Sequence, residues 1–99
     1  MVDEPKGAPV PEGPGGPLLV YPTDYPFKAI GLAAADLAEH LRTAVLGAAP
    51  GVSIGAVEER MSSGGKYLSV TVNVRLGSED ERRAIYAALA ADPRIVQYF

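Results

Sequence analysis

The sequence predicts an α+β fold, a two-layer sandwich in which a four-stranded antiparallel sheet carries two helices on one face. Three observations lead there. Leu68, Val70, Val72, Val74 and Leu76 alternate with Tyr67, Ser69, Thr71, Asn73 and Arg75, the period of a strand with one buried and one open face. Leu37, Leu41 and Val45 recur every fourth residue, as along one side of a helix. Ser78 and Glu81 then form the S-x-x-E signature of a helix start just beyond that strand.

Taken in order, Met1 to Pro17 holds five prolines and four glycines and little that is apolar. Fixing a backbone costs about 1–2 kcal/mol per residue, which such a composition cannot offset by burial, so residues 1–17 are expected to be a disordered tail and 21–99 the domain. A proline-rich docking segment is the functional alternative for the tail. Pro22 and Pro26 confine the first strand to Phe27–Leu32. An amphipathic helix is expected over Ala34–Ala49, with Asp36, Glu39, His40 and Arg42 on its solvated side and Gly47, Pro50 and Gly51 as its stop. A second strand runs from Val52 to Met61, and its apolar phase slips at Val57, which predicts a bulge. After the third strand, Glu79 and Asp80 favour the positive end of the second helix. Its inner face is expected to be Ile85, Ala88 and Leu89, and Asp92-Pro93 ends it. Ile95 to Phe99 makes the last strand. The order β-α-β-β-α-β is that of a ferredoxin-like fold.

Ninety-nine residues allow one domain, burying roughly 60–65% of the surface the unfolded chain exposes. The absence of cysteine removes disulfides, thiolate metal sites and cysteine nucleophiles, and makes the cytoplasm the default compartment. No apolar run approaches the ~20 residues of a membrane span, and MVDEPKGAP lacks the pattern of a signal peptide. A net charge of −3 lacks the basic footprint that nucleic-acid binding requires. Neither membrane nor nucleic acid is therefore an expected partner.

The segment RMSSGGKYL invites comparison with a phosphate-binding loop, but Arg60 stands where the first glycine should, Tyr67 follows Lys66, and a strand rather than a helix comes next. It reads as a hairpin turn, with glycines for positive φ; an anion-holding backbone nest flanked by Arg60 and Lys66 is the sharper alternative. His40, the single histidine, lies among Asp36, Glu39 and Thr43 and is expected to be a solvated helix residue rather than a base for Ser62 or Ser63. One histidine cannot anchor a transition-metal site, and the adjacent strand residues Glu58 and Glu59 face opposite sides. Known activities of this topology also lack their residues. Metal chaperones need Cys-x-x-Cys, acylphosphatases need an arginine in the loop that here reads AIGLAAAD, and RNA-recognition domains need aromatic residues where Ser69, Thr71 and Asn73 stand.

The stretches YPTDYPFKAIG, AAPG, MSSGGKYLSVTVNV and DPRIVQYF resemble the YbeD-like family of small bacterial proteins of unknown function, over about Tyr21 to Phe99. The resemblance implies likeness in fold to ACT domains, ferredoxin-like modules that bind small ligands and regulate enzymes. It carries no enzymatic activity and no cofactor. The family usually has lysine at the position of Gly64 and often asparagine at that of Lys66, which weakens or rearranges any anion site in this turn. The expectation is a non-enzymatic, ACT-like regulatory or ligand-sensing module for a small anionic metabolite, as a monomer or weak homodimer. The alternative is an adaptor that meets an unidentified protein partner through the open sheet face or the Ile95–Phe99 edge. Gly31 is expected to let a ligand approach the backbone closely. Ser62, Ser63, Lys66 and Tyr67 at the turn, with Lys28, Thr71, Asn73 and Arg75 on the open face, complete the candidate site.

Overall fold

A computed structural model describes residues 19–99, so the expected tail lies outside the described residues. The elements are β1 (Thr23–Leu32), α1 (Leu37–Ala48), β2 (Ser53–Met61), β3 (Tyr67–Leu76), α2 (Glu79–Ala91) and β4 (Ile95–Tyr98). They form one sheet in the order β2-β3-β1-β4 with every neighbouring pair antiparallel. Both helices lie against one face, as the ferredoxin-like expectation requires.

The alternation in β3 decides which face. Leu68, Val70, Val72, Val74 and Leu76 are buried, and with Phe27 and Ala29 of β1 and Ile95 and Tyr98 of β4 they meet Leu37, Leu41 and Val45 of α1 and Ile85, Tyr86 and Leu89 of α2. Each fully buried aliphatic side chain contributes about 1.5–3 kcal/mol. The inner layer is therefore the source of stability.

Several boundaries differ from expectation. β1 begins at Thr23 and contains Pro26. Lys28 exchanges backbone hydrogen bonds with Phe99, at 3.4 and 2.8 Å, so Lys28 and, by alternation, Pro26 turn their backbone groups toward β4. The pairing with β4 stops there, and among the described residues no strand lies beyond Pro26 on that side, so no ladder bond is lost. α1 starts at Leu37, after a turn in which the Leu37 N–H donates to Ala34 O, and it runs through Gly47 to Ala48. The buried Leu41 and Val45 outweigh the ~1 kcal/mol cost of an exposed helical glycine. β2 starts at Ser53, and its register against β3 shifts between Ile54 and Val57, where the phase slip placed it. The Asn73 side-chain amide spans the irregularity by donating to Ala56 O at 2.9 Å.

At the start of α2, Ser78 Oγ accepts the Glu81 N–H, while Glu81 Oε1 accepts from Gly77 N rather than from Ser78 N. Ala88 is only half-buried; Arg82 and Tyr86 complete the inner face instead. Arg82, 3% exposed, lies between the rings of Tyr25 and Tyr86 and pairs with Glu79 through Nε and Nη2 at 3.0 and 2.7 Å. Glu79 Oε1 also accepts from the Tyr21 hydroxyl at 2.5 Å. Hydrogen bonds from Arg82, then Tyr21 and Arg83, hold the Glu79 carboxyl well below the usual carboxylate range. Among the described residues, no helix is long and apolar enough to cross a membrane.

Candidate binding groove

The open face of the sheet is organised in rows set by strand register. One row runs Arg60 (β2), Ser69 (β3), Ile30 (β1) and Gln97 (β4). The next runs Glu58, Thr71, Lys28 and, through its backbone pairing, Phe99. Toward the other end, Asn73 stands beside Pro26, and Arg75 beside Asp24.

The first row floors an open groove of about 700 Å³, closed at one end by the β2–β3 turn and lined by Ile30, Arg60, Met61, Ser62, Ser63, Tyr67, Ser69, Val96 and Gln97. Ile30, Met61 and Val96 supply an apolar surface; the last two are 54% and 50% exposed. Hydroxyls, an amide and one guanidinium supply the rest. Arg60 has no carboxylate within 4.0 Å among the described residues. None of the lining residues is acidic.

The turn that closes the groove is held by backbone bonds from Ser62 N to Tyr67 O and from Gly65 N to Ser62 O, both 2.9 Å. Gly65 has φ +76°, which favours glycine, and the expected hairpin is thus present. Ser62 Oγ accepts the Tyr67 N–H at 3.0 Å and so fixes the turn, leaving Ser63 the freer hydroxyl. Lys66 lies outside the groove lining, with Nζ 5.5 Å over the Tyr67 ring. Its carbonyl accepts the Ala33 N–H and ties the turn to the end of β1.

The expected site residues therefore divide. Ser62, Ser63 and Tyr67 come together in the groove. Lys28 and Thr71 border an adjoining depression with Glu58 and Glu59, which shares Arg60 and Ser69 with the groove, and Lys28 Nζ sits 5.5 Å over the Phe99 ring. Asn73 and Arg75 lie at the far end of the face, where Arg75 meets Asp24 at 3.3 Å instead of standing free. Gly31 is buried, and a Cβ there would come within 2.5 Å of the Arg94 carbonyl oxygen. The close approach that Gly31 permits is that of the Arg94 carbonyl of its own chain.

His40 is not simply solvated. Its Nε2 lies 2.6 Å from Oδ2 of the buried Asp92, whose Oδ1 accepts the Arg94 N–H at 2.9 Å. Arg94 in turn grips Asp36 at 2.8 and 3.2 Å, and these hydrogen bonds, led by the guanidinium, hold the Asp36 carboxyl below its ordinary value. The four side chains tie the start of α1 to the α2–β4 turn. Among the described residues, no group of three His, Cys, Asp or Glu side chains could hold a metal ion.

Val96 and Gln97 were not among the expected site residues, because the register of so short a last strand is invisible before the sheet is assembled, and Met61, at the end of β2, joins the groove only once β2 is paired with β3. Ile30 had a signal: it shares the phase of Lys28 and so had to fall on the open face.

Residues 16–99 match the family described as "Protein of unknown function (DUF493)". The UPF0250 protein RSc0326 of Ralstonia nicotianae is 41% identical over 78 residues, covering 79% of this chain and 80% of that one. A UPF0250 protein of Bordetella pertussis is 37% identical over 78 residues, 79% of this chain and 86% of its own. In fold the chain is similar to the solution structure of protein HP0495 from H. pylori, with a TM-score of 0.67, 17% identity, and 93% and 97% of the two chains covered. At that identity the likeness is one of fold alone. With 84 of its residues (16 through 99) inside the family match, the chain belongs to this DUF493, or UPF0250, family of small bacterial proteins of unknown function.

Proposed function

We propose that the protein is a non-enzymatic, ACT-like ligand-sensing module of the cytoplasm that takes a small anionic metabolite in the groove. One observation carries this: an Arg60 guanidinium without a carboxylate partner among the described residues, beside a hydroxyl-rich wall and an apolar floor, in a concave site on an otherwise open sheet face. Of the serine–histidine candidates, Ser62 or Ser63 with His40, the pair Ser62 and His40 supports a non-catalytic reading. His40 Nε2 is engaged by Asp92, and Ser62 Oγ by a backbone amide, so neither is paired with the other. A thermal-shift screen of small metabolic anions tests the proposal. A ligand of the native state raises stability by about 2.7 kcal/mol at 100 times its Kd, and its amide shifts should centre on Ile30, Ser69 and Gln97. Saturable shifts centred elsewhere, or none from any small anion, would reject the groove as the sensing site.

A second reading has its own observation. Among the described residues β4 is an edge strand, without charge, and Val96 on it and Phe99 just beyond it are 50% and 46% exposed, which suits an adaptor that adds a partner strand. Protection of the Val96 amide on partner addition, with no small-molecule response, would favour it.

A further inference from the structure

We infer that the groove selects monocarboxylates with an aliphatic body and discriminates against the corresponding α-amino acids, an inference that rests on the reading of the groove as a ligand site. The lining offers one formal charge, the guanidinium of Arg60, and no carboxylate. A single planar guanidinium with hydroxyls beside it matches one carboxylate group. The acids nearest Arg60, Glu58 and Glu59, lie outside that lining, in an adjoining depression that Arg60 and Ser69 share with Lys28 and Thr71. That depression sets two carboxylates against Arg60 and Lys28, so it has no net negative charge to draw a ligand ammonium out of the groove.

The ammonium of an α-amino acid is carried on the carbon that bears its carboxylate. With the carboxylate on Arg60, the ammonium falls within the ~4–6 Å over which like charges oppose each other, and no lining side chain offers it an anionic partner. The attraction of the zwitterion for Arg60 is largely cancelled. The hydrocarbon makes no such distinction, since Ile30, Met61 and Val96 present the same apolar surface to both compounds. Specificity then comes from an unpaired cation on the wrong ligand rather than from an added contact to the right one. This separates the groove from what the ACT-like analogy alone suggests, because a site built for amino acids needs an acceptor for the ammonium.

Leucine and 4-methylpentanoate are a matched pair, differing only in the amino group. Each is titrated into the full chain at pH 7 while backbone amide shifts are followed, with the Arg60→Gln variant in parallel. The expected result is saturable perturbation of Ile30, Ser69 and Gln97 by 4-methylpentanoate, a response to leucine at least ten-fold weaker, and at least five-fold loss of 4-methylpentanoate affinity in Arg60→Gln. Arg60 is exposed, so the variant should fold, and an unchanged amide spectrum away from β2 verifies that. Equal or tighter binding of leucine in the groove overturns the selectivity while leaving the groove as a ligand site. Unchanged affinity in Arg60→Gln overturns the role of the guanidinium. If neither compound nor any other small acid moves groove amides, the inference falls together with the reading beneath it.

Discussion

The two faces of the sheet are built from the same strands yet do opposite things with polar chemistry. On the inner face, the charged groups are engaged: Arg82 is enclosed by Tyr25, Tyr86 and Glu79, and Asp92 is held by His40 and the Arg94 amide. No buried side-chain polar atom there lacks a hydrogen-bond partner among the described residues. On the open face, again among the described residues, Arg60 has no carboxylate partner, and Lys28 rests on an aromatic ring. Desolvation accounts for the difference, since a buried charge without a partner costs several kcal/mol while a solvated one costs almost nothing. Uncommitted chemistry can therefore stand only on the open side.

The contrast is sharpest within β3, where neighbouring residues belong to different faces. Val72→Asp should unfold the domain, an effect of about 4 kcal/mol or more, because a carboxylate would replace a side chain that is 2% exposed with nothing to pair it. Circular dichroism and denaturant melts read this directly, and a folded Val72→Asp protein would undo the layer assignment. Arg82→Ala should come next, at about 2–3 kcal/mol in the same melts, below the ~3–5 kcal/mol of a broken buried pair because Glu79 keeps Tyr21 and Arg83. A loss under about 0.5 kcal/mol would mean that the arginine serves only as packing.

Gly31→Ala probes the junction between faces. A Cβ at 2.5 Å from the Arg94 carbonyl forces the β1–β4 register apart, with an expected loss of about 1–3 kcal/mol. Full stability would restore the idea that the glycine makes room for a ligand. For acid, the sign follows from the depressed Glu79 carboxyl: its contribution is complete above the unfolded carboxylate pKa of ~4.3 and is lost as pH falls through the folded value. Asp36, also depressed, adds a weaker, exposed contribution of the same sign. Thermal melts between about pH 5 and 2 should show a steep decline that Glu79→Gln makes shallower, and an identical slope in the variant would assign the acid sensitivity elsewhere. The smallest effect belongs to Thr71→Asp, expected within about 1 kcal/mol of the parent because its side chain reaches solvent.

What the sequence by itself determined is whatever depends on near neighbours along the chain. Alternation in Tyr67–Leu76 defined β3 to the residue, the phase slip at Val57 located the irregularity in β2, and Ser78 with Glu81 marked the start of α2. The Ser62–Lys66 turn and its share of the groove were legible for the same reason: turn chemistry is local. What only the tertiary structure decided is which distant residues meet. Pro26 lies inside a strand because β4 stops short of it, Gly31 is reserved for the Arg94 carbonyl, and His40 finds Asp92 across 52 positions of sequence. Arg60, Ile30, Val96 and Gln97 likewise become one surface only when three antiparallel registers are set together. Register is chosen by the whole buried face at once, since a one-residue slip would turn every apolar side chain of a strand to water. No single segment carries that choice.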